Sequence, residues 1–309
     1  MSEKLDNLKV LIVEDDKDYI ELTTIYLQKW GYDYVVSTNG KSAIECLKND
    51  KDIGLMLLDW MLPDTTGVEI CEYVRNNILD RYVYIVMVTG KKEKKDVIEA
   101  LKKGADDYIS KPYDYEELNV RIHSGFRILK LERRLKESYQ KLYEMATHDA
   151  LTGILNRGAI EKKLKREVER GKRIGHEVGV ILIDIDNFKR INDEYGHQIG
   201  DIVLQDVAEV LETNCRRYDY VGRYGGEEFL IVLPGLNSYS TSKVAERIRK
   251  EVENRSFHAV NIDLKVTISL GVCSTKEAQD IKDLIKKADE ALYKAKREGK
   301  NRTVVYQGE

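Results

Sequence analysis

Strand and helix patterns alternate five times from residue 8 onward, and few folds accommodate such a run. Lys9 to Val13, Asp33 to Ser37, Gly54 to Leu58, Val83 to Val88 and Asp107 to Ser110 read as strands. Alternation of this kind builds a parallel, doubly wound sheet with helices on both faces. Thr66-x-x-Glu69 and Asp114-x-x-Glu117 fit capping boxes at two of the helix starts. Ligands of such sheets bind beyond the carboxyl ends of the strands. Those ends carry Glu14-Asp15-Asp16 after the first strand, Asp59 after the third, Thr89 after the fourth and Lys111 after the fifth. Taken singly, Asp59 suits a strand-end cap and Lys111 a solvated loop charge. A carboxylate cluster, a hydroxyl and an ammonium gathered on one edge describe a site instead.

The rest of the chain is too long to belong to that sheet, since 309 residues suggest about two domains with separate cores. Lys plus Arg number 51 against 54 Asp plus Glu, a net charge of −3, so no basic field points to nucleic acid. Cys46, Cys71, Cys215 and Cys273 are widely spaced with no Cys-x-x-Cys, which excludes a zinc–thiolate or disulfide framework and leaves reduced core residues. No secretion signal and no apolar stretch of membrane-spanning length is present, so a cytoplasmic location without a membrane partner is expected.

Chemistry in the second half centres on Arg223-Tyr224-Gly225-Gly226-Glu227-Glu228-Phe229. Strand-like residues flank it, Tyr218 to Arg223 before and Phe229 to Leu233 after, so Gly-Gly is expected to turn a hairpin with positive φ angles. A bare turn solvated by two glutamates is the plainer alternative. It loses ground because Val178 to Asp186 is apolar on both faces, as a central strand is, yet ends in carboxylates. With Asp184 beside Glu227, mutual repulsion would be relieved by a hard divalent cation, Mg²⁺ foremost. Alternate strand residues face opposite ways, so one glutamate is expected to ligate and the other to serve a second role.

These residues carry a resemblance. Asp149 to Arg157, Asp184-Ile185-Asp186-Asn187-Phe188-Lys189, Ile191-Asn192-Asp193, Gly196 to Asp201, the hairpin, Ala288 to Lys296 and Gly299-Lys300-Asn301 make residues 148–309 similar to a GGDEF-family diguanylate cyclase domain in its GGEEF form. The resemblance implies a palm-like α+β fold and condensation of two GTP into cyclic di-GMP with release of two pyrophosphates. It implies Mg²⁺, with Mn²⁺ as an alternative, on Asp184, the Ile185 carbonyl and Glu227, with Glu228 acting on the attacking hydroxyl. Asn192 and Asp201 would read guanine, where an amide and a carboxylate suit a mixed acceptor and donor edge. Lys189, Lys296 and Lys300 would hold the β- and γ-phosphates. The last is often Arg in the family, so the bidentate fork is lost here. Arg216-x-x-Asp219 matches the family's inhibitory product site, with Arg247 as a second arm; a surface ion pair is the plainer reading of that pattern. His148 and His197 have no role in this chemistry and are expected to be structural or exposed.

Residues 1–127 resemble a response-regulator receiver domain, of the five-stranded flavodoxin-like type. The resemblance implies that Asp59 is the phosphoacceptor and that an upstream histidine kinase supplies the phosphoryl group. Glu14, Asp15 and Asp59 with the Met61 carbonyl would hold Mg²⁺, Thr89 and Lys111 would grip the phosphoryl oxygens, and Tyr108 would be the aromatic switch. The Lys111–Pro112 bond is expected to be cis.

Between the two, residues 128–147 read as a helical coiled-coil linker. Ile128, Leu135 and Leu142 fall at a positions and Leu131, Ser138 and Met145 at d, a seam with one polar fault. A parallel homodimer would set Arg127 at g against Glu132 at e of its partner. The competing function is a catalytically silent receptor for cyclic di-GMP working through Arg216 and Asp219. It is disfavoured because no motif residue is missing. A different nucleotide cyclase is disfavoured by Asn192 and Asp201 together.

Overall fold

The computed structural model describes residues 8–78, 80–90, 94–255, 257–259 and 262–307. The chain divides into two compact units, Met1–Tyr139 and Gln140–Glu309.

The first unit runs β1 (Lys9–Val13), α1 (Lys17–Trp30), β2 (Tyr34–Ser37), α2 (Gly40–Asn49), β3 (Ile53–Asp59), α3 (Gly67–Asn77), β4 (Tyr84–Thr89), α4 (Lys94–Lys102), β5 (Asp107–Ser110) and α5 (Tyr115–Thr147). Its sheet has the order β2-β1-β3-β4-β5 with every pair parallel, as expected. Side chains alternate between two cores. Val10, Ile12, Leu55 and Leu57 enter one, and Leu11, Val13, Met56 and Leu58 the other, so the sheet is covered on both faces. Asp59 and Thr89 are the last residues of their strands rather than the first after them. Thr66 and Glu69 complete the expected capping box, and Asp114 Oδ1 accepts the Glu117 N–H at 2.8 Å.

α5 is one unbroken helix of 33 residues. Its early turns bury Leu118, Ile122 and Leu129 against the first unit. On another stripe of the helix Ile128, Leu131, Leu135, Leu142 and Met145 are 40%, 57%, 70%, 64% and 79% exposed, which leaves the seam uncovered within the chain.

The second unit continues with α6 (Arg157–Ile174), β6 (Val178–Ile185), α7 (Phe188–Tyr195), α8 (His197–Thr213), β7 (Tyr220–Arg223), β8 (Glu228–Pro234), α9 (Ser238–Asn254), β9 (Phe257–Ala259), β10 (Ile262–Leu264), β11 (Ile268–Ser274), α10 (Ile281–Arg297) and β12 (Thr303–Val305). The main sheet has the order β12-β11-β6-β8-β7, antiparallel except for the β11–β12 pair. β6 lies at its centre and is buried throughout. Val180 and Leu182 pack with α6 and α10, whereas Ile181, Ile183 and Ile185 pack with α7, α8 and α9. α10 lies directly on β11, because Gly271 has no side chain to hold it away; a Cβ there would stand 2.1 Å from the Ala288 carbonyl oxygen.

Candidate active site and phosphoacceptor pocket

In the second unit, β6 and β8 deliver their carboxylates to the same end of the sheet. The register sets Asp184 opposite Glu228, so these two share a face. Glu227, expected beside Asp184, stands just outside β8; its carbonyl accepts the Ile185 N–H at 3.3 Å and its charge acts on the Asp184 carboxyl. The turn departs from expectation. Neither Gly225 nor Gly226 has positive φ. Residues 224–227 form a longer loop in which the Tyr224 and Gly225 N–H groups both donate to the Glu228 carbonyl, at 2.8 and 3.2 Å. A two-residue primed turn, which demands left-handed backbone, is therefore not used. A Cβ at Gly225 would lie 2.6 Å from Glu228 Oε2, so a side chain there would push the Glu228 carboxylate aside.

Two interactions that the sequence did not reveal steady this end. Arg223 donates to the Gly226 carbonyl at 2.7 and 3.0 Å and to Asp149 at 3.1 Å, which pins the hairpin tip to residues 149–152. Asp149 also accepts from the Thr152 hydroxyl at 2.7 Å. The charge of Arg223 beside the Gly-Gly pair was the available signal. The second interaction is an ion pair between Lys296 Nζ and Asp184, at 2.7 Å. Burial pushes the Asp184 carboxyl up to about 6, Lys296 offsets part of that, and the charges of Glu227 and Glu228 add to it. Three carboxylates thus gather at this end, with Lys296 on the most buried of them, but among the described residues only Glu14, Asp15 and Asp59 in the first unit bring three such oxygens within 4.8 Å of one another.

A cleft of about 470 Å³ opens between the hairpin tip and α7–α8, lined by Lys189, Asn192, Asp193, His197, Asp201 and Glu227 among others. It brings together both expected guanine readers, one phosphate lysine and one glutamate. His197 lines it as well, although no role was expected of it. Asp184, Glu228, Lys296 and Lys300 lie outside this lining. Lys300 Nζ donates to Asn187 Oδ1. Asn192 Oδ1 rests over Gly200 of α8, where an added Cβ would be 1.9 Å away.

Arg216 and Asp219 meet through their backbones: the Arg216 N–H donates to Asp219 Oδ2 at 2.8 Å, and the Asp219 N–H to the Arg216 carbonyl at 2.9 Å. The guanidinium turns to the Tyr218 hydroxyl at 3.1 Å, and Asp219 Oδ1 is buried with no hydrogen-bond partner. Burial raises the Asp219 carboxyl, against the opposing pull of Arg216 and Arg247. Arg247 itself donates to the Asn214 carbonyl at 2.7 Å. Arg216, Asp219 and Cys215 line a cavity of about 390 Å³ with His148 at its edge.

In the first unit, the ends of β1, β3 and β5 converge as expected. Glu14, Asp15 and Asp59 present oxygens within 4.8 Å of one another, a donor set that suits Mg²⁺. Lys111 Nζ sits 2.6 Å from Glu14 and 2.8 Å from Asp59. Burial pushes Glu14 up to about 7, lowered in part by Lys111 and raised further by Asp59. Thr89 is buried at the end of β4, Met61 is exposed beyond β3, and the Lys111–Pro112 bond is cis. Tyr108 is partly buried against the core under α3 and α4, with the Arg121 guanidinium 5.9 Å from its ring.

Fold and sites together define a doubly wound domain with an acidic pocket, followed by an α+β domain with a nucleotide-sized cleft. Residues 10–123 match the response regulator receiver domain, and residues 146–302 match the family described as diguanylate cyclase, GGDEF domain. The response regulator PleD of Caulobacter vibrioides is 32% identical over 307 residues, covering 97% of this chain and 67% of PleD. Diguanylate cyclase DosC of Escherichia coli is 41% identical over 181 residues, 58% of this chain and 39% of DosC. Among solved structures, the coiled coil and GGDEF domain of DgcB from Caulobacter crescentus, in complex with c-di-GMP, aligns with a TM-score of 0.55 at 31% identity, covering 61% of this chain and 98% of that one. The chain belongs to the GGDEF family of diguanylate cyclases and carries a receiver domain ahead of the catalytic one. Among the described residues, no helix is long and apolar enough to cross a membrane.

Proposed function

We propose that this chain condenses two GTP into cyclic di-GMP under the control of phosphorylation at Asp59 and of its own product. The observation that carries the reading is one cleft lined by Asn192, Asp201, Lys189 and Glu227, which gathers groups suited to a guanine edge, to phosphate charge and to a cation. Asn192 and Asp201 orient the guanine, and Lys189, Lys296 and Lys300 offset triphosphate charge. The 3′-hydroxyl of each GTP attacks the α-phosphorus of the other, two phosphodiester bonds form, and two pyrophosphates leave. Glu228, opposite Asp184, is placed to take the hydroxyl proton. Mg²⁺, or Mn²⁺, would be held by Asp184, the Ile185 carbonyl and Glu227 and would supply charge neutralisation at the phosphates. In the receiver, Glu14, Asp15, Asp59 and the Met61 carbonyl would hold the second ion, with Lys111 and Thr89 gripping the phosphoryl group that Asp59 takes from a histidine kinase.

This cleft would accommodate one GTP, so joining two GTP calls for two copies of the chain. The uncovered stripe of Ile128, Leu131, Leu135, Leu142 and Met145 supports a parallel homodimer through α5. Product control is supported by the cavity of about 390 Å³ that Arg216 and Asp219 line together, where the guanidinium would serve phosphate.

The test is to incubate purified protein with GTP and Mg²⁺, with and without acetyl phosphate, and to identify the nucleotide formed. Cyclic di-GMP whose rate responds to acetyl phosphate is expected. Binding of cyclic di-GMP without synthesis would overturn the enzyme reading in favour of a receptor.

A further inference from the structure

Asp186 is a buried carboxylate that the reaction leaves without a task. It is 5% exposed, and four hydrogen bonds converge on the residue. Oδ1 accepts from the Ser269 hydroxyl at 2.6 Å, and Oδ2 accepts from the Thr267 hydroxyl at 2.8 Å and from the Asn301 backbone N–H at 3.0 Å. The Asp186 N–H donates to the Thr267 carbonyl at 2.9 Å. The end of β6, the start of β11 and the 299–302 loop are thereby tied together.

That loop has an unusual backbone. Lys300 and Asn301 are consecutive left-handed residues, with φ of 63° and 44°. Asn tolerates this conformation, but Lys adopts it at a cost that the surroundings must offset. Asp186 grips the turn from the sheet side, and α9 grips it from the other: Asn301 Oδ1 accepts from Arg249 Nη1, and Asn301 Nδ2 donates to Glu253 Oε1, both at 2.7 Å. Arg249 is fixed in its turn by Glu246 and Glu253, at 2.8 and 2.7 Å.

We propose that Asp186 is a positioning residue for triphosphate binding: acting through the Asn301 N–H, and with Arg249 as counter-clamp, it holds the left-handed turn that presents Lys300 to the terminal phosphates of GTP. The inference rests on the reading of Lys300 as a phosphate contact. Asp186 contributes hydrogen-bond acceptors here rather than charge. An amide in its place still offers one oxygen to Asn301 and Thr267, while its NH₂ donates to the Ser269 hydroxyl.

The experiment measures binding of 3′-deoxy-GTP, which lacks the attacking hydroxyl, and of GMP, which lacks the β- and γ-phosphates. Both are titrated with Mg²⁺ into the full chain and into Asp186→Ala, Asp186→Asn, Asn301→Gly and Lys300→Ala. Asp186→Ala, Asn301→Gly and Lys300→Ala should each weaken 3′-deoxy-GTP about tenfold, the scale of one charge-assisted contact. Asp186→Asn should stay near wild type, and GMP affinity should be unchanged in all four. Asn301→Gly keeps the N–H bonded to Asp186 and removes only the side-chain grip of Arg249 and Glu253, so it reports on the α9 clamp; should Asp186→Ala fail to fold, Asp186→Ser, polar but too short to reach the Asn301 N–H, decides the role of Asp186. No effect of Lys300→Ala would overturn the phosphate reading and the proposal with it. Weakening by Lys300→Ala alone would overturn only the positioning role. Equal loss of GMP and 3′-deoxy-GTP would reduce Asp186 to a structural residue, and equal loss in the Ala and Asn variants at Asp186 would make its role one of charge.

Discussion

Replacing Gly200 by alanine should set fold stability and substrate binding against each other. Gly200 lies within α8, and the new Cβ would be 1.9 Å from Asn192 Oδ1, 3.0 Å from its Cγ and 3.2 Å from Phe188 Cζ. The closest atom is the free end of a side chain, so Asn192 swings aside and the helices stay where they are. In a helix interior alanine is favoured over glycine by about 1 kcal/mol, less whatever the Phe188 contact costs. Over a domain of this size that raises Tm by roughly 2 °C. If Asn192 reads guanine as proposed, driving it from that position forfeits a hydrogen bond of about 1 kcal/mol, and KM for GTP should rise roughly fivefold to tenfold. Initial rates against GTP concentration and a thermal melt of the same preparation provide both numbers. An unchanged KM would refute the placement of Asn192 at the base. A lower Tm accompanying the raised KM would show that the methyl group displaces Phe188 and the helix packing, not the asparagine.

Glu227→Gln, equal in size but neutral, should lower kcat at least about a hundredfold with little change in Tm, because it offsets no metal charge; synthesis at near wild-type rate removes Glu227 from the ligand set. Arg216→Ala should relieve inhibition by added cyclic di-GMP without lowering the initial rate, and a superimposable inhibition curve would dismiss the product site. Inserting about seven residues between Leu131 and Leu135 keeps the a/d stripe in phase, whereas about four break it, so the longer insert should keep more of the response to acetyl phosphate. Equal responses would exclude seam phase as the transmitter. Asp149 is raised by burial, but its bonds from Thr152 and Arg223 outweigh that and hold its carboxyl below the usual range. Its stabilisation is therefore complete above about pH 4 and is lost as pH falls through the lower folded value. Asp149→Asn should cost about 1 kcal/mol at pH 7 and flatten the acid limb of a stability–pH curve; parallel curves for variant and wild type would contradict this.

What could be read in advance followed periodicity and strand ends. The receiver strands are short, apolar and bounded by polar helices, so the sheet and the meeting of Glu14, Asp15, Asp59 and Lys111 follow from topology alone. Register was less legible. The partner of Asp184 depends on how many residues the hairpin loop takes up, and a loop of residues 224–227 moves Glu228, not Glu227, into the opposing position. Pairings between distant segments were not legible at all. Lys296 reaches Asp184 only because Gly271 lets α10 lie close on β11, and Asp186 finds Asn301 only because the chain closes a left-handed turn after α10. The seam of α5 was visible in its spacing, while its exposure is a property of the folded chain.

Under the proposed homodimer, that bare stripe would also set the kinetic order of the enzyme. Leu135, Leu142 and Met145 are 70%, 64% and 79% exposed in the single chain, a cost that pairing with a second copy would remove. If the product forms only where two clefts meet, a dilute population makes cyclic di-GMP in proportion to the square of its concentration, and a crowded one in simple proportion. The number of copies in a cell then becomes an input alongside the phosphoryl group. Doubling expression in the dilute regime would quadruple output with no change in any site.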